Sequence, residues 1–231
     1  MSFTADRQWV AENALLLRWP NPTSAALHQH ILQFEQNLKR RAHQAILDTV
    51  PSYASLLIYY SHDILDAYAL NAMLDAAEQD ATTQLQLSTQ TLTVPVFYQG
   101  WDLARVAGRL ALSLDDVITL HCEHSYRVFA TGFAPGFAYL GTLPQALHSP
   151  RLSTPRRRVP RGAVAIADAQ TAIYPSASPG GWQILGFTPV SMLDDATPPM
   201  PVLKPGMTVR FEPCDKQEYL SAGGTLEPQP S

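Results

Sequence analysis

Three things are scarce in this chain of 231 residues, and each scarcity excludes a class of protein. The cysteines are two, Cys122 and Cys214, which form neither a CxxC pair nor a disulfide framework. A reducing compartment, the cytoplasm, is the simpler expectation. Lysine is confined to Lys39, Lys204 and Lys216, none preceded by the glycine-rich loop of a nucleotide-binding P-loop, and neither GxGxxG nor GxSxG occurs. A P-loop ATPase and an elbow-type serine hydrolase are therefore not expected. No apolar run approaches the length of a bilayer span, and the start MSFTADRQWV lacks the basic-then-apolar pattern of a secretory leader, so no membrane association is expected. Glycine is absent before Gly100, although the chain contains 12.

What is present divides at the same place. The glycines and most of the 19 prolines lie in the later half, so two folded regions are expected: an N-terminal domain over 1–90, a second over 91–220, and a loose tail over 221–231. Hydrophobic residues make up 46%, ample for packed cores without disulfide staples. The formal net charge of −4 offers no general attraction to nucleic acid. The charge is uneven, however: between Arg127 and Arg210 eight Lys or Arg face three acids, Asp168, Asp194 and Asp195, a net of +5. That local excess suits an anionic partner.

In the first half, RQWVAENALLLRW reads as two strands around a turn at Glu12 and Asn13. TSAALHQHILQFEQNLKRRA carries Leu27, Ile31, Phe34 and Leu38 on one helical stripe, with Thr23 or Ser24 as cap and the basic KRR against the helix dipole. AILDTV, Pro51 and ASLLIYY predict a second strand pair. His62 to Ala77 predicts a second helix with Ile64, Leu65, Tyr68, Met73 and Leu74 inward. The result is a ββαββα arrangement, a small two-layer sandwich with helices on one face of an antiparallel sheet. EQDATTQLQLSTQ reads as a polar connector. TLTVPVFY follows as a strand whose Pro95 points to a sheet edge, and then come two helices, the second capped by Ser113 with Asp116 three residues on. Beyond Tyr126 the segments YRVFATGF, GAVAIAD, QTAIYP, GWQILGF, PVSML and MTVRFEP predict short strands of a compact antiparallel barrel or sandwich.

Three segments could carry chemistry. ATGFAPGFAYLG combines turn residues with apolar bulk, so Phe133, Phe137 and Tyr139 either fill a core beneath a tight corner or wall a ligand pocket, with Pro135 and Gly136 shaping the chain. PRRRVPRG sets Arg156, Arg157, Arg158 and Arg161 between Pro155 and Pro160, planar forks suited to carboxylate or phosphate or, alternatively, a solvated cluster protecting a strand edge. QTAIYPSASPGGWQILG offers Gly180 and Gly181 as a backbone nest, Trp182 as an apolar floor, and Gln170, Thr171 and Tyr174 as polar reach. In HCEH, His121 and His124 share a helix face but no further ligand is identifiable, so no metal site is expected and His121 is kept as a proton carrier or helix-end residue.

The run GFAPGFAYLGTLPQALHSPRLSTPRRRVPRGAVAIADAQTAIYPSASPGGWQILGFTP resembles the allophanate hydrolase subunit 1 family, which includes the B-type subunits of 5-oxoprolinase and KipI-type inhibitors of sensor histidine kinases. ENALLLRW, His121, Tyr126 and LKPGMTVRF extend the likeness over nearly the whole chain. The resemblance implies an α+β fold in which a small N-terminal two-layer sandwich precedes a cyclophilin-like antiparallel β-barrel. It implies a share in ATP-dependent opening of 5-oxoproline to glutamate, in complex with two further subunits, a homologous C-type one and an A-type one. No cofactor bound by this chain is expected, ATP being used by the assembled complex. The alternatives are a sensor kinase as partner, or an allophanate or urea-pathway role. It further implies Phe133, Pro135, Gly136, Phe137, Pro155, Arg156, Pro160, Gln170, Thr171, Tyr174, Gly180, Gly181 and Trp182 as pocket residues; within the site, His121 and Arg156 are expected to be catalytic and the others to bind substrate. The chain departs from the pattern at IADAQTAIYP, where Asp168 and its neighbouring alanines replace the usual glycines.

Overall fold

The computed structural model describes residues 3–42, 44–81, 90–226 and 228. They fall into two compact units, Met1–Thr89 and Gln90–Ser231. The first contains β1 (Asp6–Ala11), β2 (Ala14–Arg18), α1 (Ala25–Arg41), β3 (Ile46–Ser52), β4 (Ser55–Tyr60) and α2 (Ala67–Ala81). Its sheet has the order β1-β2-β4-β3, with every pair antiparallel. Strand alternation turns Leu15, Leu17, Leu56 and Ile58 to one face, where they meet Leu27, Ile31, Phe34 and Leu38 of α1 in one buried cluster. Ser24 caps α1 by accepting a hydrogen bond from the Leu27 amide at 3.1 Å. Helix α2 corrects the expected register. It starts at Ala67 rather than His62, and Leu70, Leu74 and Ala77 are the buried stripe while Ile64 and Tyr68 are exposed. The turn ahead of α2 breaks the periodicity that a helix from His62 would have continued. Most of the expected polar connector, residues 82–89, lies outside the described residues.

The second unit contains β5 (Thr91–Val96), α3 (Leu103–Leu110), α4 (Leu114–Cys122), β6 (Ser125–Thr131), β7 (Ala138–Gly141), β8 (Arg156–Val159), β9 (Ala163–Ala167), β10 (Gln170–Ile173), β11 (Ser178–Gly180), β12 (Gln183–Phe187), β13 (Thr208–Pro213) and α5 (Lys216–Ser221). Seven strands form one sheet in the order β12-β9-β10-β7-β6-β13-β5. Its two ends meet through Phe97 and Phe187, whose amides donate to each other's carbonyls at 2.8 and 3.0 Å, which makes the sheet a nearly closed barrel without long free edges. Pro95, lacking an N–H, lies on terminal strand β5 as its chemistry requires. The barrel is not purely antiparallel: β13 pairs parallel with β5, Thr208 with Thr91 through Pro213 with Val96. The whole barrel separates these strands along the chain, and side-chain alternation carries no information about strand direction.

Helices α3 and α4 contribute Val106, Ala107 and Val117 to the cluster that contains Val128, Leu140, Ile166 and Leu185 of the strands. Ser113 and Asp116 form the expected capping box at α4. PVSML is not a strand; only Leu193 bridges, to Pro201. Part of the segment expected to be a loose tail is ordered: the Tyr219 hydroxyl donates to Thr225 O at 2.9 Å. Residues 227 and 229–231 lie outside the described residues.

Gly100 marks where the chain leaving β5 presses on β12. Its amide donates to Leu185 O at 2.9 Å, and a Cβ would stand 2.3 Å from Ile184 O. Gly100→Ala is expected to destabilise the protein by about 1–3 kcal/mol, because backbone rather than a flexible side chain must move. A urea melt compared with Gly108→Ala, where a Cβ meets nothing within 4 Å, checks this.

Candidate functional site

The arginine-rich and Gly-Gly segments meet. Strand β8 pairs antiparallel with β11, Ser178 opposite Val159 and Gly180 opposite Arg156, to make a two-stranded ribbon. One end of this ribbon borders an aromatic hollow of about 120 Å³ lined by Phe133, Phe137, Tyr139, Arg151, Tyr174, Pro179, Gly180, Gly181 and Trp182. Phe137, 2% exposed, is its centre. Tyr139, Phe133, Tyr174 and Trp182 surround it at ring separations of 5.0, 5.2, 5.5 and 5.9 Å, all in edge-on contact. Both readings of ATGFAPGFAYLG thus hold: Phe137 is core, while Phe133 is 64% exposed at the mouth. Phe133 has a φ of +75°, which costs a bulky side chain about 1–3 kcal/mol and is held by the structure around the loop.

Arg151 is the one cation among the described residues that line the hollow. Its guanidinium lies 5.7 Å over the Trp182 ring and 3.7 Å from the Asp168 carboxylate, both side chains being largely exposed. Asp168 takes φ +52° in the tight turn between β9 and β10. Aspartate tolerates that conformation where glycine is usual, so the departure noted in IADAQT both closes the hairpin and supplies a counter-ion at the rim. Arg151 was not expected as a site residue, since HSPRLST carries no turn or spacing signal that sets it apart.

Gly180 and Gly181 do not form the expected nest. Neither has a positive φ, Gly180 belongs to β11, and the Gly181 carbonyl accepts from the Leu152 amide at 2.7 Å, whereas a nest needs successive amides turned to one point. Gly180 serves by lacking a side chain, since a Cβ there would stand 2.3 Å from the Tyr174 hydroxyl. Burial pushes the Tyr174 phenol up to about 12, against a lowering hydrogen bond at the Trp182 backbone, so it is a neutral hydroxyl beside the hollow.

The two residues expected to be catalytic, Arg156 and His121, both lie in internal hydrogen-bond networks outside the aromatic hollow. Arg156 is engaged: it donates to buried Asp102 at 2.6 Å and to Trp182 O at 3.3 Å, and lies 5.5 Å over the Trp101 ring. Asp102 also takes a hydrogen bond from Arg105 and one from the Ile184 amide at 2.7 Å. This carboxylate hub ties β8, α3 and β12 together and consumes the fork that a ligand would have used. His121 lies inside the barrel, fully buried and stacked 4.5 Å from Phe211. Thr171 donates to Ala165 O at 3.1 Å, so its oxygen accepts from His121 Nε2 at 3.0 Å. His121 Nδ1 then accepts from Tyr98 at 2.7 Å, whose oxygen accepts from Cys122 at 3.3 Å. Burial, with His124 adding, depresses His121 to about 3. It is a neutral core imidazole.

The remaining expected residues do not line the aromatic hollow. Thr171 belongs to the His121 chain. Gln170 pairs with Gly141 and Ala167, and Pro160 is buried under the turn to β9, accepting from the Ala163 amide at 3.3 Å. Pro155 stands behind Gly181, where an added Cβ would lie 3.7 Å from it. Pro135 is exposed and Gly136 buried, the latter with φ +80° against Met192 O; together they turn the chain into Phe137. Among the described residues no three His, Cys, Asp or Glu are gathered to hold a metal, and no helix is long and apolar enough to cross a membrane.

A barrel-like unit that follows a ββαββα unit in one chain is an architecture shared with solved structures. The chain belongs to the family described as carboxyltransferase domain, subdomain C and D, whose profile spans residues 6–203. It is 35% identical over 208 residues to the B-type subunit of 5-oxoprolinase from Escherichia coli, covering 88% of this chain and 94% of that one. The crystal structure of TTHA0988 matches with a TM-score of 0.77 and 38% identity over 87% of this chain, which spans only 40% of that longer protein. Urea amidolyase of K. lactis, 16% identical, shares the fold over 95% of this chain and 15% of its own, with a TM-score of 0.73.

Proposed function

We propose that this chain is the substrate-holding subunit of an ATP-dependent 5-oxoprolinase, opening 5-oxoproline to glutamate together with a homologous C-type subunit and a separate A-type subunit. Arg151 over Trp182 carries this reading: a single exposed cation above an aromatic floor suits a small ring bearing one carboxylate, with the guanidinium on the carboxylate and the flat lactam against Trp182 and Phe133. The Escherichia coli relative, named for its place in a 5-oxoprolinase, supports the same substrate. A lactam carbonyl is a poor electrophile, so ATP must activate it before water attacks. That nucleotide is assigned to a partner in the complex, because this sequence has no P-loop. The part left to this chain is orientation and exclusion of water, with the neutral Tyr174 hydroxyl as the hydrogen-bonding group nearest the ribbon.

The test is glutamate formation from 5-oxoproline and ATP by the co-expressed complex. Turnover should require this chain, and undiminished turnover in its absence would overturn the assignment. Within the complex, Arg151→Ala should raise KM about 10- to 100-fold, the loss of one charge-assisted pair, with melting unchanged because the residue is exposed. An unaltered KM would move substrate binding to another site.

A further inference from the structure

The rim of the aromatic hollow carries a carboxylate whose side chain takes no part in holding its own turn. Asp168 stands between β9 and β10 at φ +52°, a conformation that glycine adopts without strain. The contacts of the turn are made by its backbone: the Asp168 amide donates to Ser149 O at 2.7 Å, and the Asp168 carbonyl accepts from the Ser149 amide at 3.4 Å. The side chain reaches Arg151 instead, Oδ2 to Nε at 3.7 Å, with both groups largely exposed. An ion pair in that setting adds little to stability. At this separation, longer than a hydrogen bond, the two groups attract without occupying each other's donors and acceptors. Arg156 is the contrast, its fork held on Asp102 at 2.6 Å.

A cation and an anion side by side at the mouth match a ligand that carries a carboxylate next to an N–H donor. In 5-oxoproline both are borne by one carbon, which sets the nitrogen and the nearer carboxylate oxygen about 3 Å apart, close to the spacing of the pair. We propose that Asp168 is a specificity-determining residue of the aromatic hollow, accepting the ring N–H of the bound lactam while Arg151 holds the adjacent carboxylate; this rests on the oxoprolinase reading above. A ring acid without the N–H meets the opposite situation, since its carboxylate competes with Asp168 for Arg151 and gains nothing in return. Ring opening strengthens the contact. When the lactam C–N bond breaks, the oxygen of water goes to the acyl carbon, which becomes a second carboxylate, and its two protons go to the nitrogen, which becomes an ammonium beside the first. Asp168 then faces a full positive charge. The hollow thus selects an α-amino acid or its lactam over carboxylates in general.

Calorimetric binding to the co-expressed complex without ATP tests this, comparing 5-oxoproline with 3-oxocyclopentanecarboxylate, the same ring with a methylene in place of the N–H. The parent should hold 5-oxoproline about tenfold more tightly. Asp168→Gly suits the turn conformation and should bring the two affinities within about threefold, weakening 5-oxoproline and tightening the ketone acid as Arg151 loses its competitor. Arg151→Ala should weaken both ligands. A parent that does not distinguish the two acids, or an Asp168→Gly variant that distinguishes them as well as the parent does, would overturn the role of Asp168 alone, provided Arg151→Ala still weakens both. Failure of the parent to bind either acid would overturn that role together with the substrate assignment on which it rests.

Discussion

Asp102→Ala is expected to be the most damaging single substitution away from the aromatic hollow, costing about 3–5 kcal/mol and lowering the melting temperature by roughly 10 °C. The carboxylate is 1% exposed and receives Arg156, Arg105 and the Ile184 amide. Removing it leaves the Arg156 guanidinium, 14% exposed, without its counter-ion, and leaves a buried backbone amide without an acceptor. Because Arg156 also donates to Trp182 O, the slackened hub should reach the floor of the aromatic hollow and weaken ligand binding as well. The double variant with Arg156→Ala should lose less than the sum of the two single losses, since the second change removes the charge that the first stranded. Additive losses, measured by urea unfolding, would show that the two groups do not act as a pair.

Acidification gives the second large effect. His121 is held neutral in the barrel with its affinity for protons lowered from 6.5 to about 3, by burial first and by His124 second. Between those two values the unfolded chain takes up a proton that the folded one refuses, so stability is full above about pH 6.5 and falls as the pH drops. The slope is about 1.4 kcal/mol per pH unit, or about 2 kcal/mol lost by pH 5. His121→Gln cannot titrate there and should flatten that part of the profile while costing stability at neutral pH through the broken Tyr98 and Thr171 contacts. A variant whose stability declines with acid as steeply as the parent would place the effect on other groups.

The N-terminal unit was legible residue by residue. Without glycine before Gly100, its turns and strands were marked by short apolar runs and one clear helical stripe, and Ser24 capped where it was expected. The start of α2 was misjudged because His62–Asp66 happens to extend an apolar spacing that the backbone does not follow. In the second unit β5, β6, β9, β10, β12 and β13 fell where strands were expected, but PVSML is not a strand and β7, β8 and β11 were not among the expected ones; the parallel β5–β13 pair and the ribbon of β8 with β11 were not readable either, since partner and direction depend on segments distant along the chain.

The candidate site shows the same limit more sharply. Phe133, Phe137, Tyr174, Gly180, Gly181 and Trp182 do share a hollow. The conspicuous arginines divide: Arg156 turns to Asp102, while Arg158 and Arg161 lie away from the aromatic hollow, beside Thr188 and Gly223. Arg151, which no sequence signal singled out, supplies the cation over Trp182. Composition and spacing determined that the later half would be a unit of short β-strands with excess positive charge between Arg127 and Arg210, because alternation and turn residues act over a few positions. Which cation faces a ligand and which is spent on a buried carboxylate was decided by tertiary structure alone. A charge acts through whatever stands within a few ångströms of it, and folding brings Asp102 to Arg156 from far along the chain.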